Sequence, residues 1–471
     1  MSEQQRSGWL KAYDVRGAVP GDWDEGEAYR IGLAYAEVVR PLGPVAVGHD
    51  IRLSSPAIAR AIVSGLNAGG VDTLEMGLCG TEWAYYACAQ PGIGGGLMVT
   101  ASHNPKGDNG LKLVAWDERR EAVRAITREE GLLEIEEKVR TRTLRTAAEP
   151  GTSAVWDPTA GYVAKLLDFV RGVDLDRFAE REGRPLRIVA NAGNGGAGLA
   201  VDLLRAHLPF EFIPVYWAPD GNFPHDVPNP LKNEASNDAT RAAIAEHGAD
   251  LGVAWDGDYD RCFFFDEKGG FVDGYYVVGL LATQLLSAHP GGKIVHDPRL
   301  IWNTQELVEA AGGQAIRSRT GHARIKALML AEDVLYGGEM SAHHYFRDYY
   351  YCDSGMIPWL LVAALLASGD RKLSELVQAS QAKYPCSGER SFAVSDAEEA
   401  FALVIAHLGV TDSDVDRFDG ISLTFDSWRM NLRESDTEAG QMRLNVETRG
   451  DAAAAMARAD EILEVLAPVR Q

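Results

Sequence analysis

"PLRIVANAGNGGAGLAVDLLRAHL", residues 185–208, decides the fold class: an apolar strand, a glycine-rich turn and a helix follow one another in it. That order can present backbone N–H groups to a ligand, and a plain tight connection from strand to helix is the simpler reading. The same cycle recurs on both sides. Upstream, "GPVAVGHD" (43–50) and "GGGLMVTA" (94–101) read as strands on either side of the helical stretch "SPAIARAIVSGLNAGG" (55–70). Downstream, "GADLGVAWDGDYDRCFFFDEKGGFV" (248–272) gives two apolar strands around an acidic loop, and "GGKIVHDPRLIWNTQELVEAAGG" (291–313) with "EDVLYGGEMSAHHYF" (332–346) begins a further cycle. Strand–helix–strand units of this kind build parallel or mixed sheets. The tail "QMRLNVETRGDAAAAMARADEILEVLA" (441–467) is a strand and then an amphipathic helix, as in a separate α+β domain.

A chain of 471 residues exceeds what one core serves, so it divides. The expected segments are 1–153, carrying a serine loop, 154–265, carrying the acidic loop, 266–385, carrying "GGEMSAHH", and the C-terminal 386–471. A net charge of −22 argues against nucleic acid or an anionic membrane as partner. No apolar run approaches the ~18 residues of a membrane span. The N-terminus lacks a signal core, and the five cysteines (Cys79, Cys88, Cys262, Cys352, Cys386) show no CxxC pair. Reduced thiols in the cytoplasm are the expectation.

In "DGDYDRC" (256–262), Asp256, Asp258 and Asp260 alternate directly after an apolar strand. Three such close carboxylates repel unless a cation neutralises them, and an all-oxygen set suits Mg²⁺. An EF-hand is disfavoured, although Glu267 falls at the twelfth position, because Arg261 stands where the sharp turn needs glycine. A solvated acidic turn is the other alternative. A Mg²⁺ held by aspartates keeps open positions for phosphoryl oxygens.

"VTASHNPKGDNGLK" (99–112) puts Ser102 at a strand's C-terminal end, where open α/β sheets bind ligands. Lys112 interrupts the apolar run "LKLV", and burial would push it toward neutrality, which suits proton transfer. His103 could assist or be a structural hydrogen-bonder. Residue chemistry alone leaves Ser102 open between a turn residue and a nucleophile. In "GGEMSAHH" (337–344), Glu339, Ser341 and His343 offer donors and acceptors suited to sugar hydroxyls, or form a solvated turn. In "RESDTEA" (433–439), Arg433, Ser435 and Thr437 match phosphate oxygens, or make a polar loop.

Taken together, "KAYDVRG" (11–17), "TASHNP" (100–105), "DGDYDR" (256–261), "GEMSAH" (338–343) and the arginine–serine–threonine loop resemble, in order and over nearly the whole chain, the α-D-phosphohexomutase family. "GGEMSAHHYFRDYYYCDSGMIPWLL" (337–361) and "RLNVETRGD" (443–451) are most similar to the family's bacterial phosphomannomutases. The resemblance implies four domains, three similar α/β mixed-sheet domains plus a C-terminal α+β domain, around a central cleft. It implies a phosphorylated Ser102 with Mg²⁺ bound by that group and by Asp256, Asp258 and Asp260. Mannose 1-phosphate and mannose 6-phosphate would interconvert through a hexose 1,6-bisphosphate, which is both intermediate and activator. Arg16 would offset phosphoryl charge, and Lys112 or His322 would move the hydroxyl proton. Tyr13, Arg261 and Arg299 would contact substrate, Glu339 and Ser341 would hold sugar hydroxyls with His343 in support, and Arg433, Ser435 and Thr437 would grip the idle phosphate. The last domain is expected to hinge.

One departure stands out: Asp436 replaces the family's asparagine and Ala439 its proline, which predicts weaker phosphate binding. The nearest competing activity adds phosphoglucomutase to phosphomannomutase. A competing class is a non-catalytic sugar-phosphate-binding protein, against which Ser102, Lys112 and the aspartates argue. Membership would imply supply of mannose 1-phosphate for nucleotide sugars such as GDP-mannose; oligomeric state is not written in the sequence.

Overall fold

A computed structural model describes residues 7–11, 13–435 and 440–470. It comprises two compact units, Met1–Phe271 with His343–Asp370, and Val272–Ala342 with Arg371–Gln471.

In the first unit, strands β1 (Val15–Ala18), β2 (Val45–His49), β3 (Thr73–Leu78), β4 (Gly95–Val99), β5 (Asp108–Asp117), β6 (Ala122–Ala125) and β7 (Ser153–Val155) form one sheet in the order β1-β5-β4-β2-β3-β7, with β6 on β5. β2 runs parallel to β3 and β4, while β4–β5 and β1–β5 are antiparallel. The sheet closes at its far edge where Thr73–Glu75 of β3 find their outer partner in β7. Two helices, Glu25–Val39 and Ser55–Ala68, pack together on one face. The first begins where Asp24 accepts from the amides of Gly26 and Glu27 at 2.8 and 3.0 Å, a cap typically contributing about 1 kcal/mol. Their backbones cross closely: a Cβ on Gly32 would lie 2.4 Å from Ile62 O, and one on Gly65 2.0 Å from Tyr29 O. Ile31, Ala34, Ile58 and Ile62 close a core against Val45, Leu97, Leu111 and Leu113.

The second sheet of this unit contains β8 (Arg187–Asn191), β9 (Glu211–Val215), β10 (Leu251–Trp255) and β11 (Cys262–Phe265). β8 lies between β9 and β10, parallel to both, and β11 runs antiparallel to β10. The helix expected after the glycine-rich turn is Ala197–Arg205. The unit also holds the antiparallel pair His344–Phe346 and Cys352–Asp353 and the helix Met356–Ser368, which is apolar all round and correspondingly buried.

In the second unit, Lys293–His296 is flanked by the parallel strands Gln314–Arg317 and Tyr336–Gly338. The C-terminal sheet is wholly antiparallel, in the order Arg390–Ala393, Gln441–Thr448, Trp428–Glu434, Ile421–Thr424. Helices Ala397–Leu408 and Ala452–Val465 bring Phe401, Val404, Ala459 and Ile462 into its core with Met430, Leu432 and Leu444. All five cysteines are free thiols. Among the described residues no helix is long and apolar enough to cross a membrane.

Candidate active site

Two loops build the site of the first unit, and each leaves the C-terminal end of a strand and returns antiparallel. Residues 100–107 join β4 to β5 and carry Ser102; residues 256–261 join β10 to β11 and carry the aspartates. They pack so closely that a Cβ on Gly257 would lie 2.5 Å from Ser102 O. Ser102 Oγ donates to Asp256 Oδ2 at 2.7 Å. Ser102 itself has φ 47°, a left-handed conformation that costs a non-glycine residue roughly 1–2 kcal/mol and has to be held by its surroundings. The glycine-rich turn after β8 resolves as a tight connection. Gly196 N donates to Gly257 O at 3.2 Å, so the turn supports the acidic loop from behind.

Asp256, Asp258 and Asp260 are buried, with one oxygen from each within 4.8 Å of the others. Lys112 enters from β5, whose pleat turns Leu111 and Leu113 into the core and the lysine to the opposite face. Its Nζ donates to Asp258 Oδ2 at 2.9 Å and also to Asp260. Burial would lower this ammonium's pKa, but Asp258 and Asp260 raise it and prevail. The expected drift toward neutrality is thus reversed: the lysine is a firm cation because two carboxylates wait for it. Asp258 is held low against burial, chiefly by Lys112, while burial and Asp258 push Asp260 up to about 6. β1 pairs with β5 and delivers Arg16, whose Nε binds Asp14 at 2.9 Å and whose Nη1 donates to Asn104 Oδ1 at 3.3 Å. Tyr13 lies partly buried beside Asp14.

Arg261 Nε donates to Asp256 Oδ2 at 2.9 Å and Nη2 approaches His103 Nδ1 at 2.5 Å. A guanidinium can only donate, so Nδ1 carries a lone pair and the ring proton sits on Nε2. Desolvation and Arg261 lower the His103 pKa to about 4, and the neutral Nδ1 lies 2.9 Å from Ser102 Oγ. Burial opposes ionisation of Asp256, yet Arg261 first, with the Ser102 hydroxyl, holds its carboxyl well below the ordinary range. His343, expected to support Glu339 and Ser341, lies with the acidic loop: its Nε2 is 3.6 Å from Asp260 Oδ1 and its backbone bridges Arg261.

The donor set fits a hard cation. Among the described residues, Asp258 Oδ1 and Asp260 Oδ1 are buried without a hydrogen-bond donor, His343 Nε2 standing 3.6 Å from the latter, while the Oδ2 atoms of both face Lys112. Such orphaned carboxylate oxygens are costly unless a cation meets them.

The second unit gathers another set. Arg299, four-hundredths exposed at its side chain, donates to Asp297 Oδ2 at 2.7 Å and Glu389 Oε2 at 3.0 Å. Ser341 Oγ is 3.4 Å and Glu339 Oε1 3.9 Å from its Nη2. Gly321 N donates to Glu339 Oε1 at 3.4 Å, which puts His322, first residue of the helix His322–Glu332, next to this group. Arg433 pairs across the sheet with Arg443, and Arg443 Nε is 3.6 Å from Glu389 Oε1. Burial opposes ionisation of Glu389, but Arg299, Arg433 and Arg443 hold its pKa low. Ser435 N donates to Gln441 O at 2.8 Å, whereas Asp436, Thr437 and Ala439 lie outside the described residues.

Several residues of this machinery were not foreseen. Arg52 follows β2 and grips the Ser102 loop through its backbone. Thr81 Oγ1 donates to Asp258 Oδ2 at 2.5 Å. Asp297 and Glu389 hold Arg299. A signal existed for two of them: His49-Asp50-Ile51-Arg52 and His296-Asp297-Pro298-Arg299 are one pattern met twice. In both, histidine Nδ1 meets the aspartate's own carbonyl (2.8 and 2.7 Å), and aspartate Oδ1 accepts from the arginine amide (2.9 Å each).

Known proteins share this architecture from end to end. The family descriptions "Phosphoglucomutase/phosphomannomutase, alpha/beta/alpha domain" I, II and III match residues 9–132, 160–270 and 273–384. Phosphohexose mutases of Xanthomonas campestris pv. campestris are 52% identical over 461 residues, covering 97% of this chain and 98% of theirs. The phosphomannomutase of Salmonella montevideo is 47% identical over 464 residues, with 97% and 98% covered. Among solved structures, a phosphoglucomutase/phosphomannomutase family protein of Burkholderia thailandensis superposes with TM-score 0.83 at 29% identity, covering 98% of this chain and 97% of its own. N-acetylphosphoglucosamine mutase of Aspergillus fumigatus, 14% identical, shares the fold at TM-score 0.57 over 98% of this chain and 96% of its own, in a complex with GlcNAc-6P and magnesium.

Proposed function

The chain belongs to the phosphoglucomutase/phosphomannomutase family, the α-D-phosphohexomutases, and from that membership we propose that it interconverts mannose 1-phosphate and mannose 6-phosphate through a phosphorylated Ser102. It is a phosphohexose mutase, an isomerase working as an intramolecular phosphotransferase. The observation that carries the mannose reading's chemistry is Ser102 Oγ, at the end of a central strand and 2.7 Å from a buried aspartate triad.

In the proposed cycle, a sugar hydroxyl attacks the phosphorus on Ser102 Oγ; the bond from Oγ to phosphorus breaks as the sugar ester forms, giving a 1,6-bisphosphate. After the bisphosphate reorients, Ser102 Oγ attacks its other phosphorus, and the sugar oxygen released there needs a proton. Lys112 or His322 carries that proton, accepting it from the attacking hydroxyl in the first step and returning it to the released sugar oxygen in the second, so that the group ends the cycle as it began. Arg261 fixes Asp256 in its ionised form beside Oγ, and the neutral ring of His103 lies against Oγ itself. Asp256, Asp258 and Asp260 would hold a Mg²⁺, which would offset the charge of the transferring phosphoryl group and relieve the pull of the carboxylates on Lys112. Arg16 serves the phosphoryl group, Tyr13 and Arg299 contact substrate, Glu339 and Ser341 hold the sugar hydroxyls with His343 in support, and Arg433, Ser435 and Thr437 grip the phosphate at rest. The segments 1–153, 154–265, 266–385 and 386–471 are the domains of this proposal, supported by family matches that fall inside or within a few residues of the first three.

A wider specificity that includes glucose 1-phosphate is favoured by the broader name, phosphohexose mutases, of the Xanthomonas relatives. The deciding experiment assays mannose 1-phosphate and glucose 1-phosphate with Mg²⁺ and a bisphosphate activator, for the parent and for Ser102→Ala. Turnover that survives Ser102→Ala ends the phosphoserine mechanism. Equal catalytic efficiency on both sugars selects the wider reading. An intact mass without phosphate, together with no turnover, selects a binding protein.

A further inference from the structure

Arg52 is 1% exposed, and its guanidinium makes four contacts to backbone carbonyls of the Ser102 loop and of Asp108, the first residue of β5. Nη2 donates to Ser102 O at 2.9 Å and Asn104 O at 2.7 Å; Nη1 donates to Pro105 O at 2.8 Å and Asp108 O at 2.9 Å. The topology explains the reach: β2 and β4 are parallel neighbours, with His49 opposite Val99, so the residues following β2 meet the loop following β4. The arginine is itself anchored. Asp50 accepts from the Arg52 amide at 2.9 Å and from Ser55 Oγ at 2.5 Å, and its Oδ2 lies 3.4 Å from Arg52 Nε. The ring of Phe223 closes the open side, 5.3 Å from the guanidinium carbon. In the second copy of the pattern, Arg299 instead sends its nitrogens to the side-chain oxygens of Asp297 and Glu389.

We propose that Arg52 is a positioning residue for phosphoryl transfer: by collecting the carbonyls of Ser102, Asn104, Pro105 and Asp108 it keeps Ser102 in its left-handed conformation, with Oγ aimed at Asp256. The inference rests on Ser102 as the phosphoryl carrier. Nothing in it requires Arg52 to touch substrate. Five planar donors in a fixed fork suit several carbonyls at once, which an ammonium cannot reproduce. A displacement of about 1 Å at the reacting atom is enough to lower a rate by ~10²-fold.

The test compares Arg52→Lys and Arg52→Gln with the parent in two measurements. The first is amide hydrogen exchange at Asn104 and Asp108, whose N–H groups bond to Ala101 O and Pro105 O inside the loop. The second is kcat and KM on mannose 1-phosphate, per molecule of folded protein. Exchange at those amides should rise about 10-fold or more while amides of β4 and β10 hold, with kcat down roughly 10–100-fold and KM within twofold. If Arg52→Gln does not fold, Arg52→Lys decides alone, since it keeps the charge. Unchanged loop exchange, or unchanged kcat per folded molecule, or a change confined to KM, overturns the proposal; a merely structural arginine lowers the melting temperature and leaves kcat per folded molecule alone. A parent without mutase turnover removes the phosphoserine reading, and with it the catalytic part of the proposal, while the exchange arm still reads Arg52's hold on the loop.

Discussion

Lys112 Nζ stands 2.9 Å from Asp258 Oδ2 and donates to Asp260 as well, so a single ammonium balances two buried carboxylates of the triad. Replacing it by methionine leaves both charges without that partner. Lys112→Met is expected to lose about 3–5 kcal/mol in metal-free buffer, the usual penalty for breaking a buried pair from one side. Mg²⁺ should restore more stability to the variant than to the parent. Denaturant midpoints with and without Mg²⁺ measure both; equal midpoints for variant and parent contradict the assignment.

Thr81 Oγ1 donates to the same Asp258 Oδ2 and leaves Oδ1 free to turn elsewhere. Groups that orient a ligand in this way commonly carry about 10–100-fold of metal affinity. Thr81→Val, which keeps the shape and removes the hydroxyl, should weaken Mg²⁺ binding about 10-fold by calorimetric titration. Identical binding isotherms would show that Lys112 alone fixes the carboxylate.

Glu82 gives a pH prediction. Fully buried, its carboxyl accepts from Tyr162 OH and from the Met356 amide at 3.4 Å, and burial pushes its pKa from 4.5 up to about 7. The native state keeps its proton where the unfolded chain has released it. Stability contributed by the protonated carboxyl is therefore complete below pH 4.5 and is lost as pH rises toward 7. The full swing is about 3 kcal/mol. Glu82→Gln should flatten the stability profile across that window and be more stable than the parent at pH 8. A parallel profile for the two proteins rejects the assignment.

At Asp436, a carboxylate near a bound phosphate would repel it by ~4 kcal/mol at ~4 Å and an effective dielectric of ~20. Asp436→Asn should lower KM for hexose phosphates by about 10-fold even if only a third of that repulsion survives screening. An unchanged KM means that the side chain points away from the phosphate.

What the chain announced in its sequence was local. The strand–turn–helix order of residues 185–208 and the alternating aspartates after "LGVAW" depend on neighbours in sequence, and both stand in the structure as β8 with its helix and as a buried triad. What stayed hidden depends on partners distant in sequence. Lys112 read as a lysine drifting to neutrality because burial is visible in "LKLV", whereas the two carboxylates that reverse the shift arrive on another sheet. His343 read as part of a sugar loop because it follows Glu339 and Ser341, yet its ring meets Asp260. Arg52 carries no local signal of its own that points to Ser102. Only the parallel pairing of β2 with β4 turns it toward Ser102, although its twin at Arg299 was in plain view.

Gly257, whose missing side chain makes room for Ser102 O, carries a consequence for descent. A lineage that gives residue 257 a side chain must also shift the serine loop, and one that reshapes the serine loop meets the backbone at 257. Two stretches that lie far apart in the gene are therefore tied to one another: a side chain at 257 and a shift of the serine loop are tolerated together where the first alone is not.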